Sequence, residues 1–338
     1  MTSKRIVVCS DGTWNDPEDE IPTNVLRIAR AIKPQDSDNV QQVVFYDWGV
    51  GSYYNPVVGG MSGSGMMKNI QDGYRFIVQN YDPGDEIYLF GYSRGAYTAR
   101  ALAGMLNKCG ILKKTEADQI PAAFKFYKKK GAKPRSPEGR QWRRSHSVDG
   151  KKGEVAFLGV WDTVGALGIP TRALAFVEEK DLFYDEMLGS NIVRARHAVA
   201  IDEKRKDFGP TLWAHAQARD VKQVWFAGVH GDIGGGAKPK DGKFLGDVAL
   251  AWMAREATLG GLEFHNHLHG SVAQHHKLRI NRSYRGFFRV LGVEPRTMPP
   301  GSLVHRSVKR RFALGDYRPV PLLNWLAANG GSWANVED

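Results

Sequence analysis

The pentapeptide Gly91-Tyr92-Ser93-Arg94-Gly95 sets a serine between two glycines. It follows the apolar run Ile87-Tyr88-Leu89-Phe90 and precedes the alanine-rich run Ala96-Tyr97-Thr98-Ala99-Arg100-Ala101. A strand that turns sharply into a helix at a serine is a nucleophile elbow: the glycines let strand and helix approach closely, and the hydroxyl stands at the top of a sheet. That hydroxyl is a weak nucleophile until a base takes its proton and a carboxylate orients the base. Two later junctions supply both. Val155–Trp161 runs into Asp162, and Gln223–Ala227 runs through Gly228 and Val229 into His230. Alone, Asp162 reads as a turn cap and His230 as a core histidine. Together with Ser93 they stand in the chain order of the α/β-hydrolases, and they predict acyl transfer through a serine ester, with no cofactor and no metal.

The remaining candidates surround this trio. The amide of Arg94, opening a helix directly after Ser93, is placed to receive a developing oxyanion, favoured by the helix dipole. A second amide is expected from Gly12 or Thr13, in Asp11-Gly12-Thr13-Trp14-Asn15 after the first strand. Asp11 would orient that loop through backbone hydrogen bonds, and Asp232, two residues beyond His230, is a supporting carboxylate. His305 is the rival base, ranked lower because His230 ends a predicted strand. His265, His267, His269, His275 and His276 are dense enough to raise metal binding, but with no cysteine or tightly placed carboxylate to complete a tetrahedral set they read as a polar loop. The run Gly59–Gly65 lacks the endings of a phosphate loop and reads as a lip of the site.

The elements that must position these residues alternate along the chain. Strands are expected at Arg5–Cys9, Gln42–Tyr46, Glu86–Phe90, Val155–Trp161 and Gln223–Ala227, and helices at Asn24–Ile32, Met66–Tyr81, Arg94–Asn107, Ala117–Lys129 and Leu245–Ala257. Short apolar strands separated by helices predict an α/β fold: a mostly parallel sheet with helices on both faces. Its carboxyl-terminal strand ends share one edge, where sites are built. The candidates span positions 11 to 230 and must converge, so residues 1–338 are expected to form a single catalytic domain.

The 338 residues carry a net charge of +11. Residues 113–152 hold thirteen Lys and Arg against four Asp and Glu, so most of that excess sits between the elbow helix and the next strand. This stretch reads as a basic cap or insertion beside the site. Either it serves solubility, or Lys128, Lys129, Lys130, Arg143 and Arg144, with Phe124, Phe126, Tyr127 and Trp142 among them, meet an anionic membrane or acidic substrate. Binding of single-stranded nucleic acid is the less favoured use of the same patch. Cys9 and Cys109 are too few for a disulfide framework and suit a reducing compartment. No signal peptide or membrane-spanning run is recognisable, so a cytoplasmic protein or export by a leaderless route is expected. Asp11-Gly12-Thr13 also raises a haloacid-dehalogenase-type phosphatase, but that chemistry wants an aspartate where Cys9 stands.

Taken together, Asp11–Asn15, Gly91–Ala96, Trp161–Gly165 and Gly228–Gly236 resemble the DUF2235 family, which includes the Tle1-type phospholipase effectors of type VI secretion. The resemblance covers roughly residues 4 to 260. It implies an α/β-hydrolase fold, a triad matching Ser93, Asp162 and His230, and cleavage of carboxyl esters in phospholipids. A lipid or small ester is then the expected substrate.

Overall fold

Continuous runs of β-branched and aromatic residues form the strands, and alternation along each run feeds two separate cores. In β1 (Arg5–Ser10), Ile6 and Val8 face one side of the sheet and Val7 and Cys9 the other. The computed structural model describes residues 3–12, 15, 17–49, 63–164, 187–213, 215–239, 242–269, 275–283 and 292–338. The first half of the chain continues with α1 (Asn24–Ala31), β2 (Gln42–Asp47), α2 (Gly63–Asn80), β3 (Glu86–Tyr92), α3 (Arg94–Cys109), α4 (Ile120–Lys128), α5 (Pro137–His146) and β4 (Val155–Trp161). The second half adds β5 (Met187–Leu188), β6 (Ile192–Ala200), β7 (His215–Ala216), β8 (Asp220–Phe226), α6 (His230–Gly234), α7 (Asp247–Leu259), β9 (Leu303–His305), α8 (Arg306–Ala313), α9 (Val320–Ala328) and β10 (Val336–Glu337).

Among the described residues, eight strands form one sheet in the order β10-β9-β8-β6-β4-β3-β1-β2, and every pair in it is parallel. The chain moves from β1 outward to β2, then returns past β1 to β3 and continues the other way. A crevice therefore opens at the carboxyl ends of β1 and β3, the switch point at which open α/β sheets place their sites. Ser10 is level with Gly91, and Tyr92 with Trp161, so the ends of β1, β3 and β4 reach the same edge. Helices α2, α3 and α4 cover one face, α1 and α7 the other, and α8 and α9 close a third core against β8 and β9. This is the α/β-hydrolase-like architecture that the sequence predicts. No helix among the described residues is long and apolar enough to cross a membrane.

Beyond the unexpected strands β5, β7, β9 and β10 and helices α5, α6, α8 and α9, three features differ from the sequence reading. Strand β6 lies between β4 and β8, at the centre of the sheet. Its run Ile-Val-Arg-Ala-Arg-His-Ala-Val-Ala breaks the apolar pattern because its buried polar side chains are paired. Arg196 binds Glu256 and Asp220, while His197 donates through Nδ1 to Gln223 and accepts the Thr163 amide at Nε2. The helix expected over Ala117–Lys129 begins as a 3-10 turn (Lys114–Gln119), with Pro121 in the first turn of α4.

The basic insertion is the third difference, for it is not a cap over the site. It packs as an outer layer against α2 and the last turns of α3. Lys108 Nζ donates to the carbonyls of Tyr127 and Lys129, and Arg143 donates to the carbonyl of Lys108. Phe124, Phe126 and Tyr127 are buried in the core of that layer, and Trp142 stacks on Phe126 at 4.5 Å. Arg143 is itself buried, so it presents no charge to a membrane. The aromatic side chains are there to seat the insertion, since its own length cannot supply a core.

Candidate active site

The β3–α3 turn depends on its glycines. A Cβ on Gly91 would fall 2.3 Å from the carbonyl oxygen of Gly95, and one on Gly95 would fall 2.1 Å from that of Ser10. Neither position admits a side chain, because backbone is met on both sides. Ser93 sits at φ 57° and ψ −122°, and its amide donates to the Trp161 carbonyl at 3.1 Å, tying the turn to the end of β4. Asp162 also has a positive φ, 41°. Such backbone angles in residues other than glycine cost about 1–3 kcal/mol each, and surrounding structure must hold them.

The three residues meet. His230 Nδ1 lies 2.6 Å from Asp162 Oδ2, and His230 Nε2 lies 2.9 Å from Ser93 Oγ. An ionised carboxylate only accepts, so Nδ1 carries the proton, and in a neutral ring Nε2 then accepts the serine O–H. Burial lowers the pKa of His230 below its ordinary 6.5, against the opposing pull of the Asp162 carboxylate. The ring is held between Tyr92 at 4.8 Å and the edge of Phe208 at 5.0 Å.

Asp162 is fully buried. Burial alone would raise its pKa, but Arg296 and the His230 hydrogen bond hold it well below the usual carboxylate range. Arg296 donates from Nη1 to Oδ1 at 2.6 Å and from Nη2 to Oδ2 at 2.9 Å, and the Ala200 amide donates to Oδ1 at 2.8 Å. The same guanidinium reaches the carbonyls of Ala200 and Phe208. Glu203 is the second residue that the sequence reading misses. It accepts the His230 amide at 3.2 Å and is held ionised by Arg205, which carries its pKa down to about 2 despite burial. Arg296 stands outside every motif, so no local signal marks it. Glu203 lies just past a strand that the apolar pattern conceals.

The other candidates divide. Arg94 opens α3 immediately after Ser93. Asp11 is buried and accepts from the Gly12 amide at 2.7 Å, from Tyr46 at 2.8 Å and from Thr23; burial raises its pKa to about 6, and those hydrogen bonds oppose the rise. Gly12 borders the serine, since a Cβ there would stand 3.3 Å from Ser93 Cβ. Its amide, however, is donated to Asp11, which removes it as an oxyanion donor, and Thr13 lies outside the described residues. Asp232 accepts from the Val229 and Asn281 amides and from Asn281 Nδ2, which fastens the first turn of α6 beneath His230. His305 is not at the serine. It caps α8, its Nδ1 accepting the Ser307 amide, and it stacks on Phe226 at 4.7 Å. The rival-base reading fails because it is His230, not His305, whose Nε2 stands within hydrogen-bond distance of Ser93 Oγ. In the histidine-rich stretch, His275 pairs with Asp247 at 3.2 Å. Most of Gly59–Gly65 lies outside the described residues, and Gly63 already belongs to α2. Cys9 is a buried core residue of β1.

An uncharacterized protein of Saccharomyces cerevisiae is 28% identical over 231 residues, which is 61% of this chain and 32% of that protein. The chain thus spans about a third of the length of the curated relative it matches. Among solved structures, an uncharacterized protein from Pseudomonas aeruginosa covers 81% of this chain over 48% of its own, at 16% identity and a TM-score of 0.47. The Tle1 effector bound to the VgrG spike of the type VI secretion system covers 70% over 52% of its own chain, at 19% identity and a TM-score of 0.39. The carboxylesterase Cest-2923 from Lactobacillus plantarum covers 77% over 87%, at 15% and 0.39. The model of the type VI secretion phospholipase effector Tle1-like catalytic domain matches residues 4–256, three quarters of the sequence, and the chain belongs to that family.

Proposed function

We propose that the protein is a serine carboxyl-ester hydrolase acting on lipid esters, with Ser93 as nucleophile, His230 as general base and acid, and Asp162 as the orienting carboxylate. The observation that carries this reading is the continuous hydrogen-bonded chain from Ser93 Oγ through His230 to Asp162, at the carboxyl edge of the sheet. Ser93 Oγ attacks the ester carbonyl carbon as His230 Nε2 takes the hydroxyl proton. The tetrahedral oxyanion is received by the Arg94 amide, with Thr13 as the second donor. Collapse breaks the bond to the leaving alkoxide, which takes the proton from His230 and departs as an alcohol. Water, deprotonated by the same nitrogen, then attacks the acyl-serine and releases the fatty acid, returning Ser93 to its hydroxyl form.

Membership of a family of phospholipase effector domains supports a phospholipid as the ester, and delivery by a type VI apparatus as the route. The reaction as written needs no cofactor. The protein and its Ser93→Ala variant, incubated with p-nitrophenyl esters of several chain lengths and with phosphatidylglycerol and phosphatidylethanolamine vesicles, test the reading. Fatty acid release should fall about 10⁴-fold or more in the variant. Equal release from both proteins removes Ser93 as nucleophile. Activity on short esters alone removes the lipid.

A further inference from the structure

The thirteen cations of the basic insertion differ in their partners. Three of them pair with carboxylates: Lys113 with Glu116, Lys114 with Asp82 and Lys129 with Glu138. A second group lines a cleft of about 440 Å³ between α5 and the segments that lead into β4 and β6: Arg140, Arg143, Arg144, Lys151 and Lys152. Among the described residues none of these five side chains meets a carboxylate. Arg140 and Arg143 donate to backbone carbonyls, Arg144 to the Gln141 amide oxygen, and Lys152 to Ser190 Oγ at 2.9 Å. Glu154, the one acidic residue of the lining among the described residues, is paired with Arg219 outside it. Arg143 is buried, and its Nε has no hydrogen-bond partner.

Like charges that outnumber their counter-charges repel, and burying one of them adds a desolvation cost. Burial and the neighbouring Arg135 and Arg143 charges lower the pKa of Lys152, in keeping with that repulsion. An anion in the cleft removes it. The exposed guanidinium forks of Arg140 and Arg144 match phosphoryl oxygens in pairs, the two lysines add compact charge, and the buried Arg143 adds its field from the wall of the cleft. We propose that this cleft binds a small soluble anion bearing two or more phosphoryl groups. The location favours a soluble ligand over a bilayer. Lys151 and Lys152 precede β4, whereas Asp162 follows it, so the cleft lies a strand length away, roughly 23 Å, at the opposite edge of the sheet from Ser93.

Titration calorimetry of the full chain with inorganic tripolyphosphate, at low salt and without divalent metal, tests the proposal. Saturable binding is expected, weakened about tenfold or more in Arg140→Gln/Arg144→Gln and about threefold or more in Lys151→Gln. Lys129→Gln/Lys130→Gln removes equal charge outside the lining and should leave binding within about twofold. Absence of saturable binding, or equal weakening in both double variants, overturns a built site in favour of diffuse surface charge. Co-sedimentation with phosphatidylglycerol vesicles that tripolyphosphate does not displace assigns the chemistry to a lipid headgroup and overturns the soluble ligand. The substituted side chains other than Lys129 and Lys130 all line the cleft rim, so unchanged thermal unfolding separates lost binding from lost folding.

Discussion

Asp162 stays ionised in a fully buried position because Arg296 meets both of its oxygens. Arg296→Met should therefore cost about 3–5 kcal/mol at pH 7, as expected when one partner of a buried pair is removed. Urea unfolding checks the value, and the pH dependence checks the cause. The Asp162 pKa is depressed in the fold, so its contribution is present above the unfolded value near 4 and is lost as pH falls through the folded one. The gap between wild type and variant should accordingly shrink in acid. His230 yields a second test. Its folded pKa is lowered, and only the neutral ring can take the Ser93 proton, so the acid limb of kcat/KM should have its midpoint below pH 6.5. A midpoint at or above that value contradicts burial as the dominant influence on the ring.

The elements converge on Ser93 through the β3–α3 turn, whose tightness is a backbone property. Gly95→Ala would drive a methyl group into the Ser10 and Asp11 carbonyls. The strands here are fixed by pairing on both sides, so the turn cannot give way without moving β1. We expect a loss of about 3 kcal/mol, together with activity reduced about 100-fold or more as Ser93 leaves its position. Thermal unfolding and ester hydrolysis measured on the same preparation distinguish this from a stability defect alone, since the folded fraction should remain impaired. Among the described residues, α4 and α5 rest on the flank of α2 and the last turns of α3, at the other end of that helix from Ser93.

Across the whole molecule, charge is used to fasten the face opposite α3. Arg196 of β6 donates to Glu256 of α7 at 2.5 Å and to Asp220 of β8 at 2.7 Å, while Lys222 joins Glu256 to Glu337 of β10. Neither Arg196 nor Glu256 touches the Ser93 group. Glu256→Met should destabilise the fold by about 3 kcal/mol by leaving the buried Arg196 half paired, with kcat/KM within about twofold of wild type. A large fall in kcat/KM without loss of stability would show the network to serve the site instead.

What the sequence by itself determined is local. Apolar runs marked five strands of the sheet, the flanking glycines marked the elbow, and the chain order of Ser93, Asp162 and His230 marked the residues that the fold brings within hydrogen-bond distance. These are legible because backbone geometry and burial constrain neighbouring residues directly. Tertiary structure decided the rest. Strand β6 has charged and imidazole side chains whose partners are distant in sequence, so its burial cannot be read from hydropathy. Arg296 reaches Asp162 across 134 positions, and the Gly12 amide turns to Asp11 because Thr23 and Tyr46 fix that carboxylate. The basic insertion shows the same limit from the other side. Its composition reads as a surface, but only packing shows that its aromatic residues and Arg143 face inward, because composition records which groups are present and not which of them find partners.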